Sequence, residues 1–397
     1  MSSSRLRPLA LLVGVMCSAA IAAPGDVLTV QGTAGFAYDD NLLRVPDDQP
    51  AFDDQRSDWW YYAELGLNLD KSYQRQRIAA TAKLSRYAFD HFTQLDYTGK
   101  DLQGTWYWHL GNRFDGKAGA SYVETLGPYT DIRSDQRNLR QQRRGFVDGG
   151  WTFHPRWRAR AAFASEKFTY DLPSQRFNER TEDTYELELD YLPPTGSTVG
   201  LVLRRIEGDY PNGRPIGPFI VKDDFTQDEV KARVDWIASG VTKVQVLAGW
   251  AQRDQPSYGD GTTSGANGRI SAEYTPRGKL SYNAALWRDF APLESTLVSY
   301  TQNTGASIGA TWEPRSQLKL DARAIFERRE YEPRTEFPGS GDIDDILRSA
   351  TVRALWSPRR NLQVITAYAY QSRSGSIVLG QGKFSSNSVS VNVTAQF

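Results

Sequence analysis

Apolar and polar residues alternate along this chain in short runs from Val27 to Phe397, with no helical stripe of apolar positions. The last segment is the sharpest case: every odd position from Val389 to Phe397 is apolar and every even one from Ser388 to Gln396 is polar. A period of two puts Val389, Val391, Val393, Ala395 and Phe397 on one face of a strand, and Ser390, Asn392, Thr394 and Gln396 on the other. Elsewhere the polar face is charged. Leu318, Leu320, Ala322, Ala324 and Phe326 alternate with Lys319, Asp321, Arg323, Ile325 and Glu327; Val230, Ala232, Val234 and Trp236 alternate with Lys231, Arg233 and Asp235. Tyr185, Leu187, Leu189 and Tyr191 do the same with Glu186, Glu188 and Asp190.

Two kinds of break punctuate these runs. Short turns are predicted at Asp70–Gln76, Leu110–Arg113, His154–Trp157, Pro193–Ser197, Ser239–Thr242, Thr275–Lys279, Glu313–Gln317 and Ser357–Asn361, where Pro and Gly supply the backbone angles that tight turns need. Longer polar loops are predicted at Asp39–Ser57, Thr93–Gly99, Leu126–Gln142, Leu172–Asp183, Pro211–Asp224, Asp254–Asn267, Ala291–Val298, Glu332–Asp345 and Ser374–Lys383. Successive turns are about 40 residues apart, room for two strands of roughly 10 residues and a loop. The count is about eighteen strands, with sixteen as the alternative.

What the charged faces meet decides the class. A soluble sandwich would need a second apolar face opposite each apolar set, whereas a lipid-facing set leaves the charged set to line a wet interior. Arg or Lys on the lipid face at mid-bilayer costs about 2–4 kcal/mol, so the charges must point inward. The expected fold is an all-β transmembrane antiparallel barrel of the bacterial outer membrane, with short turns and both termini on the periplasmic side. Trp106, Trp108, Trp151, Trp236, Trp250, Trp312 and Trp356, each read as near a turn or strand end, then serve as interfacial anchors.

Composition agrees. The chain of 397 residues has 11 Trp, 20 Tyr and 17 Phe, yet a mean hydropathy of −0.55. No run of 18 or more apolar residues follows the leader, which excludes helical membrane spans. The balance of 47 basic and 47 acidic residues leaves no basic footprint for nucleic acid.

Residues 1–23 read as a signal peptide: Arg5 and Arg7, an apolar core from Leu9 to Met16, then Ala20-Ile21-Ala22 before cleavage after Ala22 or Ala23. Residues 24–397 form one barrel domain. Cys17, the only cysteine, lies in the leader, so the mature chain has no thiol nucleophile or disulfide.

Catalytic chemistry finds little support. The histidines are His91, His109 and His154, and no zinc spacing is present; a Ser–His pair at His91 would be the route to a barrel enzyme trimming surface glycans. Glu186 and Glu188 share one strand face, where a salt-bridged wall is the commoner arrangement. Asp39, Asp40, Asp47, Asp48, Asp53, Asp54, Asp342, Asp344 and Asp345 offer hard oxygens without EF-hand spacing. The expectation is no enzyme, no metal and no cofactor. Function is instead expected at the lumen wall, on Arg158, Arg160, Arg204, Lys231, Arg233, Arg269, Lys319, Arg323, Arg329 and Arg353, with Lys83, Lys243 and Arg253 beside them. Arginine forks at a constriction orient anionic or hydroxyl-rich polymers, although internal ion pairs would absorb much of this charge.

The stretch Gly35-Phe36-Ala37-Tyr38-Asp39-Asp40-Asn41-Leu42-Leu43-Arg44-Val45-Pro46-Asp47 resembles the opening of the exosortase-associated exopolysaccharide biosynthesis outer-membrane proteins (EpsL type). Phe397 resembles the terminal signal read by the barrel assembly machinery. The first resemblance implies a component of exopolysaccharide assembly and export, with outer-membrane lipid, the polymer and periplasmic export components as partners. It carries no catalytic residues to transfer. A general or sugar-selective diffusion porin is the alternative.

Overall fold

The computed structural model describes residues 27–129, 134–257, 261–276, 278–293, 300–331, 343–375 and 382–397. The predicted leader and parts of five predicted loops lie outside these residues. The first half contains β1 (Leu28–Asp39), β2 (Asp58–Tyr73), β3 (Gln76–Phe89), β4 (Tyr97–Leu110), β5 (Phe114–Leu126), β6 (Leu139–His154), β7 (Trp157–Tyr170), β8 (Arg180–Tyr191) and β9 (Thr198–Asp209). A small hairpin, β10 (Arg214–Ile216) and β11 (Phe219–Val221), stands apart in the fifth long loop. The second half contains β12 (Phe225–Ser239), β13 (Thr242–Asp254), β14 (Thr262–Tyr274), β15 (Leu280–Pro292), β16 (Tyr300–Arg315), β17 (Leu318–Tyr331), β18 (Ile343–Arg359), β19 (Leu362–Arg373) and β20 (Phe384–Gln396).

Each barrel strand pairs antiparallel with its neighbours in the chain, β9 with β12 across the small hairpin, and β1 with β20. The result is a closed meander of 18 strands. Phe397 completes the seam: its N–H donates to the Val30 carbonyl at 2.7 Å and its carbonyl accepts from Val30 N–H at 3.0 Å. Closure leaves no strand edge unpaired, the condition for crossing a bilayer with strands.

Each predicted short turn contains the junction of two paired strands, although β2, β16 and β18 run into the predicted spans as far as Tyr73, Arg315 and Arg359. Gly111 and Gly196 sit in two of them at φ of 61° and 78°, where a side chain would be strained. Four hairpins at this end shift register beside the turn, three of them directly after an aromatic residue, Trp151, Trp312 or Trp356. The strands run further into the long-loop end than the sequence suggests. The clearest correction is Asp254–Asn267, read as loop: Thr262–Asn267 are extended and paired with Gly249–Asp254. Their side chains are small or polar, but their backbone groups still need partners, and the neighbouring strand provides them. Trp250 likewise lies well inside β13 and away from a turn, because the apolar band reaches higher on this strand than the turn spacing implies.

The outer face carries the apolar sets. Leu65, Leu187 and Ile308 are 59%, 59% and 64% exposed, an arrangement water would not tolerate over so wide a band. Aromatic rings border the band at the turn end (Trp106, Trp151, Trp236, Trp312, Trp356) and at the loop end (Trp59, Tyr61, Phe163, Tyr185, Trp250, Phe326). Beyond the second border the outward positions turn charged, as in Arg205–Asp228 and Arg328–Asp344.

Candidate functional site

The lumen wall holds every residue expected to carry function, and the strand registers decide which of them meet. On β7, Arg158 and Arg160 alternate with alanine and point inward beside β8. Arg158 reaches Asp190 at 2.7 Å, and Arg160 spans β6 to hold Asp148 at 2.6 Å and Asp115 of β5 at 3.1 Å. Arg204 of β9 bridges Glu186 at 2.5 Å and Glu229 at 3.2 Å, and Lys231 holds the same Glu229 at 2.7 Å. Arg233 links Glu188 at 2.8 Å and Asp235 at 2.9 Å. The chain of charges thus runs without a gap from β5 to β12.

Glycines make room for some of these side chains. Asp190 is fully buried over Gly200, whose Cβ would come within 2.3 Å of the Asp190 carboxylate. On β15, Trp287 lies over Gly305 in the same way, donates to Glu327 at 3.1 Å and carries Arg269 at 4.9 Å above its ring. Arg329 pairs with Glu327 at 3.1 Å and Arg353 with Asp321 at 3.0 Å. Lys83 faces Glu64 at 3.4 Å. Lys319 sits at the turn end near Glu313, outside the belt. Arg323 faces the lumen with no ion pair among the described residues. As the sequence led one to expect, internal ion pairs absorb much of this charge; among the described residues Arg269 and Arg323 form none.

The opposite wall is different. Along β20 and β1 the inward positions are Ser388, Ser390, Asn392 and Thr394, then Thr29, Gln31 and Thr33. Thr33 and Thr394 join their hydroxyls at 2.8 Å, Asn68 donates to Gln31 at 3.2 Å and Thr81 to Asn68 at 3.0 Å. Tyr62, Tyr87 and Tyr97 stack across β2, β3 and β4, with ring centroids 5.2 and 4.6 Å apart.

At the loop end the chain folds back over the lumen. Arg44 sits at φ 55° and donates to the Asp39 carboxylate at 2.9 Å and to the Asn41 carbonyl at 2.5 Å. The Asn41 amide donates to the Val45 carbonyl at 2.9 Å and the Ser385 carbonyl at 3.1 Å, and its oxygen accepts from Val45 N–H at 2.8 Å. Asp39 accepts from the Ser386 hydroxyl at 2.6 Å, and Asp40 takes both Asn387 donors at 2.7 Å. This knot seats Leu43 and Val45 against Phe92 and Leu95 in a dry cluster. Asp39 and Asp40, read as hard-oxygen ligand candidates, are thereby engaged with protein donors, as Asp345 is with Arg373 and Tyr331. Asp342 lies outside the described residues. Across the mouth, Arg214 and Asp223 pair at 2.7 Å with each only 1% exposed, and burial pushes the nearby Tyr210 phenol up to about 12. His91 packs edge-on against Phe92.

Lys117, Arg144, Asp115 and Asp148 also line the lumen and were not singled out from sequence. Their shared parity on β5 and β6, opposite the outward Val147 and Trp151, is the signal that identifies them.

A closed even-stranded meander, apolar and aromatic outside and charged within, is a transmembrane β-barrel of the bacterial outer membrane. Among solved structures the chain is similar to OccK2 (OpdF) of Pseudomonas aeruginosa, at 11% identity and a TM-score of 0.49 over 93% of this chain and 98% of that one. It is similar to OccAB3 of Acinetobacter baumannii at 11% identity and 0.47, over 93% and 99%, and to the alcaligin outer-membrane receptor FauA of Bordetella pertussis at 11% and 0.43, over 95% and 77%. No family model matches the chain, and no curated protein matches it by sequence.

Proposed function

We propose that this barrel conducts a hydroxyl-rich saccharide polymer across the outer membrane as one component of an exopolysaccharide export system. It does so without chemistry of its own, with both termini and the short turns in the periplasm. The lumen wall carries the proposal. Charges paired at 2.5–3.2 Å give strong fixed dipoles with little net field, which favour hydrogen bonding to a hydroxylated chain over selection of a simple ion. The uncharged wall of Ser, Thr, Asn and Gln offers donors and acceptors to the other side of the same chain. The resemblance of Gly35–Asp47 to the exopolysaccharide proteins supports this setting, although those residues serve to tie the first loop over the mouth. The partners are the assembly machinery reading Phe397, periplasmic export components at the turn end, outer-membrane lipid and the polymer.

Deleting the gene in its native cell tests this directly. Surface polymer should fall and polymer should accumulate in the periplasm. Unchanged surface polymer with lost uptake of small saccharides would assign the barrel to a diffusion porin instead.

A further inference from the structure

Between β5–β6 and β8–β12 the lumen wall is hollowed into a recess of about 630 Å³. Its floor is made of short or apolar side chains, Ala162 and Ala164 of β7, Thr184 of β8 and Ile206 of β9. The rims are long. One rim is neutral, because Arg204 and Arg233 are held by Glu186 and Glu188. The other has a surplus of positive charge. Arg144 forms no ion pair among the described residues, its ladder neighbour Glu166 accepting instead from the Gln142 amide, and its guanidinium stands 5.2 Å from the centroid of the Phe146 ring. The Lys117 ammonium lies 5.8 Å from the same centroid and only 3.8 Å from Asp148, a carboxylate that Arg160 already holds at 2.6 Å. Phe146 is pressed against the wall over Gly119, whose Cβ would come within 2.6 Å of the ring, so it lies as a platform beside the two cations.

We propose that this recess is a binding subsite for a carboxylate-bearing saccharide unit, the sugar ring resting on the floor and its carboxylate held by Arg144 and Lys117. The inference rests on the saccharide reading above and deepens it, since the polymer would then contain uronate or similarly acidic units. The volume lies within the usual range for small-ligand sites, roughly 300–1,000 Å³. A planar carboxylate matches the fork of a guanidinium that forms no ion pair within the wall, and the apolar floor suits the C–H face of a sugar ring.

Calorimetric titration of the detergent-solubilised full-length barrel with trigalacturonate and with maltotriose tests the subsite. Trigalacturonate should bind about tenfold more tightly than the neutral trisaccharide. Arg144→Gln and Lys117→Gln should each weaken trigalacturonate about tenfold, the loss of one charge-assisted hydrogen bond, and leave maltotriose unchanged. Equal affinity of the wild-type barrel for the two trisaccharides, or variants that bind trigalacturonate as tightly as wild type, would overturn the subsite. Should the variants fail to assemble, a salt series on the wild type decides: trigalacturonate affinity must fall between about 0.1 and 1 M salt while maltotriose affinity holds. Neither result bears on the export reading, which stands or falls with the deletion strain.

Discussion

The two sides of the lumen solve the problem of a polar interior in opposite ways. From β5 to β12 the wall is built of long charged side chains laid over glycine and alanine and cross-linked by ion pairs that skip a strand, such as Arg160 of β7 with Asp115 of β5. Along β20 and β1, short of the loop end, it is built of short uncharged groups. The difference coincides with the seam. Strands β5 to β12 are joined by hairpins or by the fifth loop, so chain connectivity brings their charges into register as they pair. Strands β1 and β20 are 345 positions or more apart in sequence, so their pairing closes the largest loop in the chain. A hydroxyl wall carries no charge that a delayed or slipped pairing would leave bare. The specificity of closure sits instead at the loop end, in the knot of Asp39, Asp40, Asn41 and Arg44 with Ser385, Ser386 and Asn387.

The comparison can be broken most severely on the charged side. Asp190→Ala leaves Arg158 facing an apolar gap, and loss of one partner of a buried pair costs about 3–5 kcal/mol. Arg158 keeps some access to lumen water, so the lower end is expected, read as a fall in the urea midpoint of the folded barrel in micelles. An unshifted midpoint would mean that the pair adds nothing to the wall. At the knot, Asn41→Ala removes three side-chain hydrogen bonds from a residue 4% exposed, at a cost of about 2–3 kcal/mol. The barrel should persist while protease cleaves between residues 40 and 57; resistance equal to wild type would show that the loop is held by its apolar cluster alone.

Smaller effects are expected on the hydroxyl side. Replacing both Thr33 and Thr394 by Val removes both partners of one hydrogen bond together, so stability should change by no more than about 0.5 kcal/mol. A loss as large as that of Asp190→Ala would erase the distinction between the walls. Arg323→Glu should leave the urea midpoint within about 0.5 kcal/mol of wild type, because no ion pair is broken. In planar bilayers the reversal potential should move toward cation selectivity; no movement would place Arg323 outside the conducting path. Arg353 is a poorer choice for the same exchange, since Arg353→Glu would set a carboxylate beside Asp321.

Much of the architecture is legible in the sequence. Strict alternation in Val389–Phe397, Leu318–Phe326 and Tyr185–Tyr191 fixes which side chains share a face, and the cost of a charge in lipid fixes which face points inward; both are local properties of a strand. Turn chemistry at Pro193–Gly196 or Leu110–Arg113 is local as well, so the hairpins and their number follow from the residues themselves. The pairing of lumen charges is not local. Arg160 selects Asp148 and Asp115 over the adjacent Glu188 because the stagger of neighbouring strands carries its side chain across β6, and stagger is set by ladder registers that no single segment encodes. The free cations Arg144 and Arg323 were hidden for the same reason, since a charge is unpaired only relative to neighbours brought in from other strands. The extended backbone of Thr262–Asn267 and the inward fold of Asp40–Ser57 likewise follow from tertiary partners: one gains a ladder against β13, the other a dry seat for Leu43 and Val45 that exists only once β2, β3 and β4 stand side by side.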